Sequence, residues 1–522
     1  MTVLLVLLFL SQLLTNILAN PLNPKTYKAA VLEHDIRPYT NSPLETMLAN
    51  VKVYVDTAAK AAQMGADILA FPEYGIVGLD TPTNLGNHTH DEFLVSLSPE
   101  AVGHWVPCES PEKFSDGNDN QKVLELLSCA ALNNSIVLLA NLLTKEPCGE
   151  TNAITCPPSG FYKFNTNIIF SKNGTLLARY HKRHLFGESQ LNPAPKNEFE
   201  IIDVGFMKFG TFICFDAMYD DPLIDYVTKN GIRNLIFSTA WVDELPFLTS
   251  PQLFNRMARG LGINLIVSNA YIPRRSRLGS GIYSSCGAVN ETNDISTPGR
   301  LLIAELPIDP PPLVEKAFQC SFIAENQSLS KESNRSFRIQ SIVSNLPSSS
   351  SSEAIHQIWF QSLKNFSHVF LESKEDNLSL CENDLCCHLS YSFQKKSDGD
   401  LYTLAISNAY QPFGSYKFYM QVCGVMRCEN TDIESCGRVP AKSMSATFNS
   451  LTLTGSFATS TLFPSILGTD LQSIPDAEWE FSKGNCTEEK DGMKYGGKIT
   501  LKSTASKPIM VASIYGRDYE RD

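Results

Sequence analysis

Three side chains able to attack and cleave an amide each stand at the end of an apolar run. Cys214 closes FGTFI at the head of FGTFICFDAMYDDPLIDYVTKNG (Phe209 to Gly231), with an acid, Asp216, two residues on. Glu73 follows ADILAFP, and Lys182 follows TLLARYH. A thiol needs a base to lose its proton as it attacks a carbonyl, and a carboxylate within hydrogen-bond reach can serve. An ammonium beside the pair favours the thiolate and stabilises the oxyanion of a tetrahedral intermediate, as does the backbone N–H of the next residue, Phe215. Each residue alone also has an ordinary reading: Cys214 as a buried thiol or half of a disulfide, Glu73 as a turn carboxylate, Lys182 as part of a solvated basic face.

The elements that must position these groups follow from the pattern of the chain. KAAVLEH reads as a strand, and Ser42-Pro43-Leu44-Glu45 then supplies an N-cap, a proline at N1 and a glutamate at N3. That helix runs to Met64, with Gly65 placed to stop it. ADILAFPE is a strand, QKVLELLSCAALNN a helix and SIVLLANLLT a strand, and NTNIIFSKNGTLLARYHK is a hairpin about Asn173-Gly174. FGTFIC is a strand, Asp221-Pro222 reads as an N-cap and N1 pair, and RNLIFSTAW, PQLFNRMARGLG and INLIVSNA read as strand, helix and strand. Continuously apolar strands between helices indicate helix-covered sheets of the α/β class, and the hairpins make the sheets mixed. In open α/β sheets ligands gather beyond the carboxyl ends of strands, where Glu73, Lys182 and Cys214 all fall.

Beyond Pro310-Pro311-Pro312 the character changes to a polar segment containing SNLPSSSSSEA, then short strand patterns with dense cysteine. The expected domains are a hydrolase-like unit over 21–309, a linker over 310–353 and a β-rich, disulfide-braced unit over 354–522. Residues 1–20 hold a short apolar block and a small residue, Ala19, and read as a cleaved signal peptide. The polar ending VASIYGRDYERD shows no apolar anchor tail. The 522 residues carry 14 cysteines and nine N-x-Ser/Thr sequons, at Asn87, Asn133, Asn173, Asn290, Asn326, Asn334, Asn365, Asn377 and Asn485. With the leader, they point to a secreted glycoprotein. Local bridges are expected for Cys148 with Cys156, and for Cys423, Cys428 and Cys436 with Cys381, Cys386 and Cys387. A net charge of −12 without a long basic run argues against nucleic acid as the partner. His181 and His184 have no matching third ligand, and the adjacent Cys386-Cys387 lacks zinc-ligand spacing, so no metal is expected. Trp241, after the strand NLIFSTA, is a candidate pocket wall, with core packing as the alternative.

LAFPEYG, RYHKRHLF and GTFICFD resemble the three signature segments of the nitrilase superfamily of carbon–nitrogen hydrolases. The resemblance implies an αββα sandwich with Glu73 as general base, Lys182 as stabiliser of the oxyanion and Cys214 as nucleophile, and no cofactor. CPPSGFYKFNTNIIF, STAWVDELP, GSGIY, CCHLSY and YGRDYERD are similar to the vanin and biotinidase branch, which carries a second domain. RYHK, GSGIY and CCHLSY resemble the vanins more closely, which implies hydrolysis of pantetheine to pantothenate and cysteamine; biotin amides and an inactive binding glycoprotein are the alternatives. A monomer is expected, and the second domain has two readings, a cover over part of the active-site mouth or a block on the surface that simple nitrilases use to dimerise. The chain departs from the branch at Tyr74, where aspartate is usual, and in the more basic NAYIPRRSRLGSGIY. Cys286, Cys320 and Cys486 are additional to the branch's pattern.

Overall fold

A computed structural model describes residues 26–36, 42–78, 89–149, 155–195, 200–310, 337–338, 356–397, 399–440, 446–489 and 492–522. The signal-peptide expectation, most of the linker, and Asn87, Asn326 and Asn334 lie outside them, as does the side chain of Asn485.

The first layer is helical. Helix α1 (Pro43–Gln63) starts as expected: the Ser42 hydroxyl accepts from the backbone N–H of Glu45 at 3.3 Å, and Pro43 fills N1. Such a cap is worth about 1 kcal/mol. Helix α2 (Lys122–Asn134) packs beside it. Both lie on a sheet built on β1 (Thr26–Glu33), β2 (Ile68–Ala70), β3 (Val95–Ser96), β4 (Val137–Pro147), β5 (Phe161–Phe170) and β6 (Leu176–His181). β5 and β6 form the expected hairpin, with Gly174 at φ +78° in its turn. A Cβ there would come within 3.0 Å of the Ser128 carbonyl of α2, so glycine is required twice over.

A second sheet contains β7 (Ile202–Asp203), β8 (Lys208–Ile213) and β9 (Asn234–Thr239). After the two-residue strand β10 (Glu244–Leu245), which lies outside it, the sheet continues with β11 (Asn264–Asn269), β12 (Ser280–Ser284) and β13 (Gly287–Thr292). β14 (Arg300–Pro307) returns to the first sheet and pairs antiparallel with β1. The outer face of the second sheet carries α3 (Leu223–Thr228) and α4 (Ser250–Leu261).

Residue parity explains the unbroken apolar strands. Ala29, Val31, Val137, Leu139, Ile236 and Ile266 fill the layer between the sheets. Their neighbours Ala30, Leu32, Leu138 and Ala140 face α1 and α2, while Leu235, Phe237, Leu265 and Val267 face α4. Both faces are buried, so successive residues are apolar. This is the expected αββα sandwich.

Residues 356–522 form a β-sandwich of two five-stranded sheets. One is built on Ser367–Phe370, Leu401–Phe413, Tyr416–Cys428, Ile509–Arg517 and Leu462–Gly468; the other contains Leu385–Lys395, Thr447–Phe457 and Gly492–Leu501. The first packs on α4, whose every residue is buried. At Gly260 a Cβ would stand 2.5 Å from the Leu462 carbonyl, so α4 approaches the sandwich backbone to backbone. A short parallel pairing of Glu244–Leu245 with Trp359–Phe360 also joins the two units.

Two local expectations are corrected. Pro222, not Asp221, occupies the N-cap of α3. The Asp221 carboxylate is taken instead by His184 at 2.6 Å and by Arg183. The cysteine pairing also differs. Cys148–Cys156 forms as expected, and Cys387–Cys423 joins the two cysteine groups as expected and links the two sheets, but Cys381 bridges Cys386 and Cys428 bridges Cys436 within their own groups. Cys108–Cys129 adds a bridge beside α2, and Cys286 is also disulfide-bonded.

No helix among the described residues is long and apolar enough to cross a membrane. Of the sequon asparagines, Asn133, Asn173, Asn365 and Asn377 are exposed. Asn290 is half-buried, and its amide donates to the Ile303 carbonyl at 3.0 Å.

Candidate active site

β2, β6 and β8 end on one side of the sandwich, and there Glu73, Lys182 and Cys214 line a single cavity open to solvent. Cys214 is the one free thiol among the cysteines whose side chains are described, Cys486 not being one of them. It is the first residue of a single 3-10 turn (Cys214–Met218), at φ +45°. A non-glycine residue is costly in that region, and such strain is characteristic of a side chain held for function.

Glu73 sits in the turn beyond β2, which Ser238 fixes by donating to the Phe71 carbonyl at 2.8 Å. Its Oε1 accepts from Lys182 Nζ at 2.7 Å and from Asn165 Nδ2 at 2.8 Å, and its Oε2 from the Ala240 backbone N–H at 2.9 Å. Lys182 also meets Glu188 Oε2 at 2.8 Å. Glu188 is held in turn by Asn165 at 2.8 Å, by the Phe186 backbone N–H at 3.0 Å and by the Tyr74 hydroxyl. All these side chains are buried.

Burial alone would lower the pKa of Lys182, but the Glu188 and Glu73 carboxylates reverse this and hold it well above the ordinary lysine value. Glu188 shows the mirror image: burial raises its carboxyl, and Lys182 brings it below the ordinary range. Burial, with Glu73 second, pushes the Cys214 thiol up to about 12, against the opposing pull of Lys182 and the Thr239 hydroxyl. The thiol is therefore protonated near neutrality and must pass its proton on as it attacks.

Asp216 ties two of the elements together. Its buried carboxylate accepts from the backbone N–H groups of Ile213 at 3.0 Å and His184 at 2.8 Å, and from the Tyr180 hydroxyl at 2.7 Å. One carboxylate thus links the segment around Lys182 to the strand that ends in Cys214.

Phe215 and Trp241 both line the cavity. Trp241 is also core, 1% exposed, with Nε1 donating to the Leu248 carbonyl at 2.8 Å, so wall and packing coincide. Phe413, at the end of a strand of the β-sandwich, completes the wall. Tyr416 follows in the same hairpin, and its hydroxyl donates to the Leu185 carbonyl at 2.9 Å.

Glu188, Asn165 and Phe413 were not singled out from sequence. The hairpin register could have found Asn165: His181 pairs with Thr166, and Lys182 donates its backbone N–H to the Asn165 carbonyl at 2.8 Å. His181 and His184 do not converge: His181 contacts Thr166 and Glu146, and His184 contacts Asp221. Among the described residues no three His, Cys, Asp or Glu side chains group as metal ligands.

The carbon–nitrogen hydrolase family pattern matches residues 28–280, and that of the vanin C-terminal domain matches residues 356–522. Fold and pattern together define a carbon–nitrogen hydrolase with an appended domain. The chain is 31% identical over 506 residues to a pantetheine hydrolase of Homo sapiens, covering 95% of this chain and 89% of that one. It is 31% identical over 525 residues to the biotinidase of Bos taurus, covering 97% and 94%. Among solved structures it matches an amidase from Nesterenkonia sp. AN1 at 18% identity and a TM-score of 0.39, over 57% of this chain and 98% of that one. The chain belongs to the vanin and biotinidase branch of the carbon–nitrogen hydrolases.

Proposed function

We propose that this chain is a secreted amidase that hydrolyses pantetheine to pantothenate and cysteamine. The observation that carries the reading is the Lys182 ammonium clamped between Glu73 and Glu188 in the cavity that holds the free Cys214. In the proposed sequence Cys214 Sγ attacks the amide carbonyl while Glu73 accepts the thiol proton. Lys182 and the Phe215 backbone N–H stabilise the tetrahedral oxyanion. Glu73 returns the proton to the departing amine, the C–N bond breaks, and the acyl group remains as a thioester on Cys214. Water, deprotonated by Glu73, then releases the acid.

The relatives named pantetheine hydrolase support the substrate, and the biotinidase match favours biotin amides as the second reading. Parallel assays with pantetheine and biocytin, on wild type and Cys214→Ala, test both. Turnover of neither substrate by the wild type would remove the amidase reading, and equal turnover by Cys214→Ala would remove the nucleophile. The leader-like residues 1–20 and the described disulfides support secretion. We place the hydrolase domain at 21–309, the linker at 310–353 and the β-rich domain at 354–522.

A further inference from the structure

Thr239 is the last residue of β9; it is fully buried, and its hydroxyl has no hydrogen-bond partner among the described residues. The strand fixes where that hydroxyl points. Ser238 reaches the first sheet through the Phe71 carbonyl, so the next side chain turns to the opposite face of β9, the face on which Phe237 packs in one core with Cys214. β8 runs parallel to β9 with Ile213 opposite Ser238, so Cys214 follows Ile213 where Thr239 follows Ser238. The backbone there is held on both sides. The Thr239 carbonyl accepts from the Ala270 N–H at 3.1 Å, and the next peptide, Ala240, donates its N–H to Glu73 Oε2 at 2.9 Å. The electrostatics agree with this placement: burial and Glu73 raise the Cys214 thiol, and Lys182 and then the Thr239 hydroxyl draw it down.

Packing alone does not explain a threonine here. Valine has nearly the same shape and leaves no polar group unpaired, whereas a buried hydroxyl without a partner costs stability. The other donors at the site are committed elsewhere. Lys182 acts on the sulfur through its charge, but its ammonium is bonded to Glu73 at 2.7 Å and to Glu188 at 2.8 Å. In the mechanism above, Lys182 and the Phe215 N–H serve the carbonyl oxygen. The sulfur carries developing negative charge twice: as it attacks the amide carbonyl, and as it is expelled when water opens the thioester. We propose that Thr239 is a catalytic residue whose hydroxyl donates a hydrogen bond to Cys214 Sγ in both steps. The hydroxyl keeps its own proton, and no bond to Thr239 forms or breaks. The thiol proton passes to Glu73 and on to the amine, and the proton that Glu73 takes from water returns to the sulfur. This rests on the amidase reading above and deepens it.

The test uses the full-length chain as wild type, Thr239→Val and Thr239→Ser, with pantetheine and biocytin as substrates. In Thr239→Val the kcat should fall by about 10–100-fold with KM little changed, the loss expected for one hydrogen bond to a charged atom in the transition state. Thr239→Ser keeps the hydroxyl and should recover most of that loss. Two further readouts separate this role from a packing one. Thr239→Val removes an unpaired polar group, so its melting temperature should equal or exceed that of the wild type, while Thr239→Ser melts slightly lower. The valine variant also loses a group that favours the thiolate, so labelling of Cys214 by methyl methanethiosulfonate at pH 8 should slow by about 10-fold. Wild-type kcat in Thr239→Val, unchanged labelling, or a fall in kcat that tracks a lower melting temperature and is not rescued by serine overturns the proposal and leaves the amidase reading intact. Turnover of neither substrate by the wild type fails the amidase reading itself, and labelling and melting still report whether the hydroxyl acts on the sulfur.

Discussion

Phe413 stacks on Trp241, their ring centroids 5.5 Å apart and their planes 20° from parallel. The two rings belong to different domains, so the cavity is completed only when the β-sandwich is docked. Phe413 also faces Phe186 at 5.6 Å and Phe215 at 5.9 Å, next to the lysine and cysteine segments. The second domain therefore supplies part of the cavity wall. Phe413→Ala should raise KM by roughly 10-fold, about 1.4 kcal/mol of lost binding, with a smaller effect on kcat. Steady-state kinetics on the preferred amide check this; an unchanged KM would mean that the substrate does not reach the domain junction.

Lys182 has two carboxylate partners, and only one is needed as a base. Glu188 is assigned the work of holding the ammonium charged and in place. Glu188→Gln leaves the cation and Glu73 but removes half of the clamp. Removing one partner of a buried ion pair costs about 3–5 kcal/mol, so a clear fall in melting temperature is expected. The kcat should fall by roughly 10–100-fold with KM little changed, as for loss of an interaction made mainly in the transition state. Tyr74→Phe removes one charge-assisted hydrogen bond to the same carboxylate and should show a weaker form of both effects, about 1.5–3 kcal/mol in stability. Thermal melts and kinetics on the two variants check the order.

Asp216 joins the segments that carry Lys182 and Cys214, the proposed oxyanion stabiliser and nucleophile. Asn at this position keeps the shape but turns an NH2 toward donors on one side, so one group of hydrogen bonds is lost whichever way the amide sits. Asp216→Asn should destabilise the fold by about 2–4 kcal/mol and lower kcat more than KM. Kinetics and urea unfolding decide it: full activity would show that the strand end positions Cys214 without this tie.

The sequence is most informative where local chemistry sets geometry. The turn at Asn173-Gly174 fixes the β5–β6 register, and that register delivers both Lys182 and Asn165 to one end of the sheet. The apolar runs around Val31, Leu139 and Ile236 place the two sheets, because burial on both faces leaves no other pattern. Glu188 is not legible in this way. Its role depends on the loop after Lys182 folding back, and that path is held by the Tyr74 hydroxyl and the Phe186 backbone, long-range contacts that no periodicity records. Phe413 is hidden for the same reason at larger scale, since its place depends on how one domain packs on the other. Asp221-Pro222 misleads because the aspartate's strongest partners, Arg183 and His184, lie far back in the chain.

The thiol gives the sharpest test of how nucleophile and base share a proton. Burial and the Glu73 carboxylate push Cys214 up to about 12. A raised pKa in an acid means less anion at a given pH, so at pH 8 the wild-type thiol should react with a small neutral reagent such as methyl methanethiosulfonate more slowly than free cysteine, by a factor on the order of 10³. The rate should climb with pH and show no plateau below about pH 10. In Glu73→Gln the larger of the two carboxylate contributions is gone, leaving burial and Glu188, so the thiol pKa falls, and labelling at pH 8 should become faster while amide hydrolysis falls by roughly 10³-fold or more. Mass spectrometry of the labelled protein and parallel turnover assays read the two quantities on the same samples. If labelling slowed together with hydrolysis, Glu73 would be acting as the base even for this reagent, and its main effect on the resting thiol would be assistance rather than repulsion.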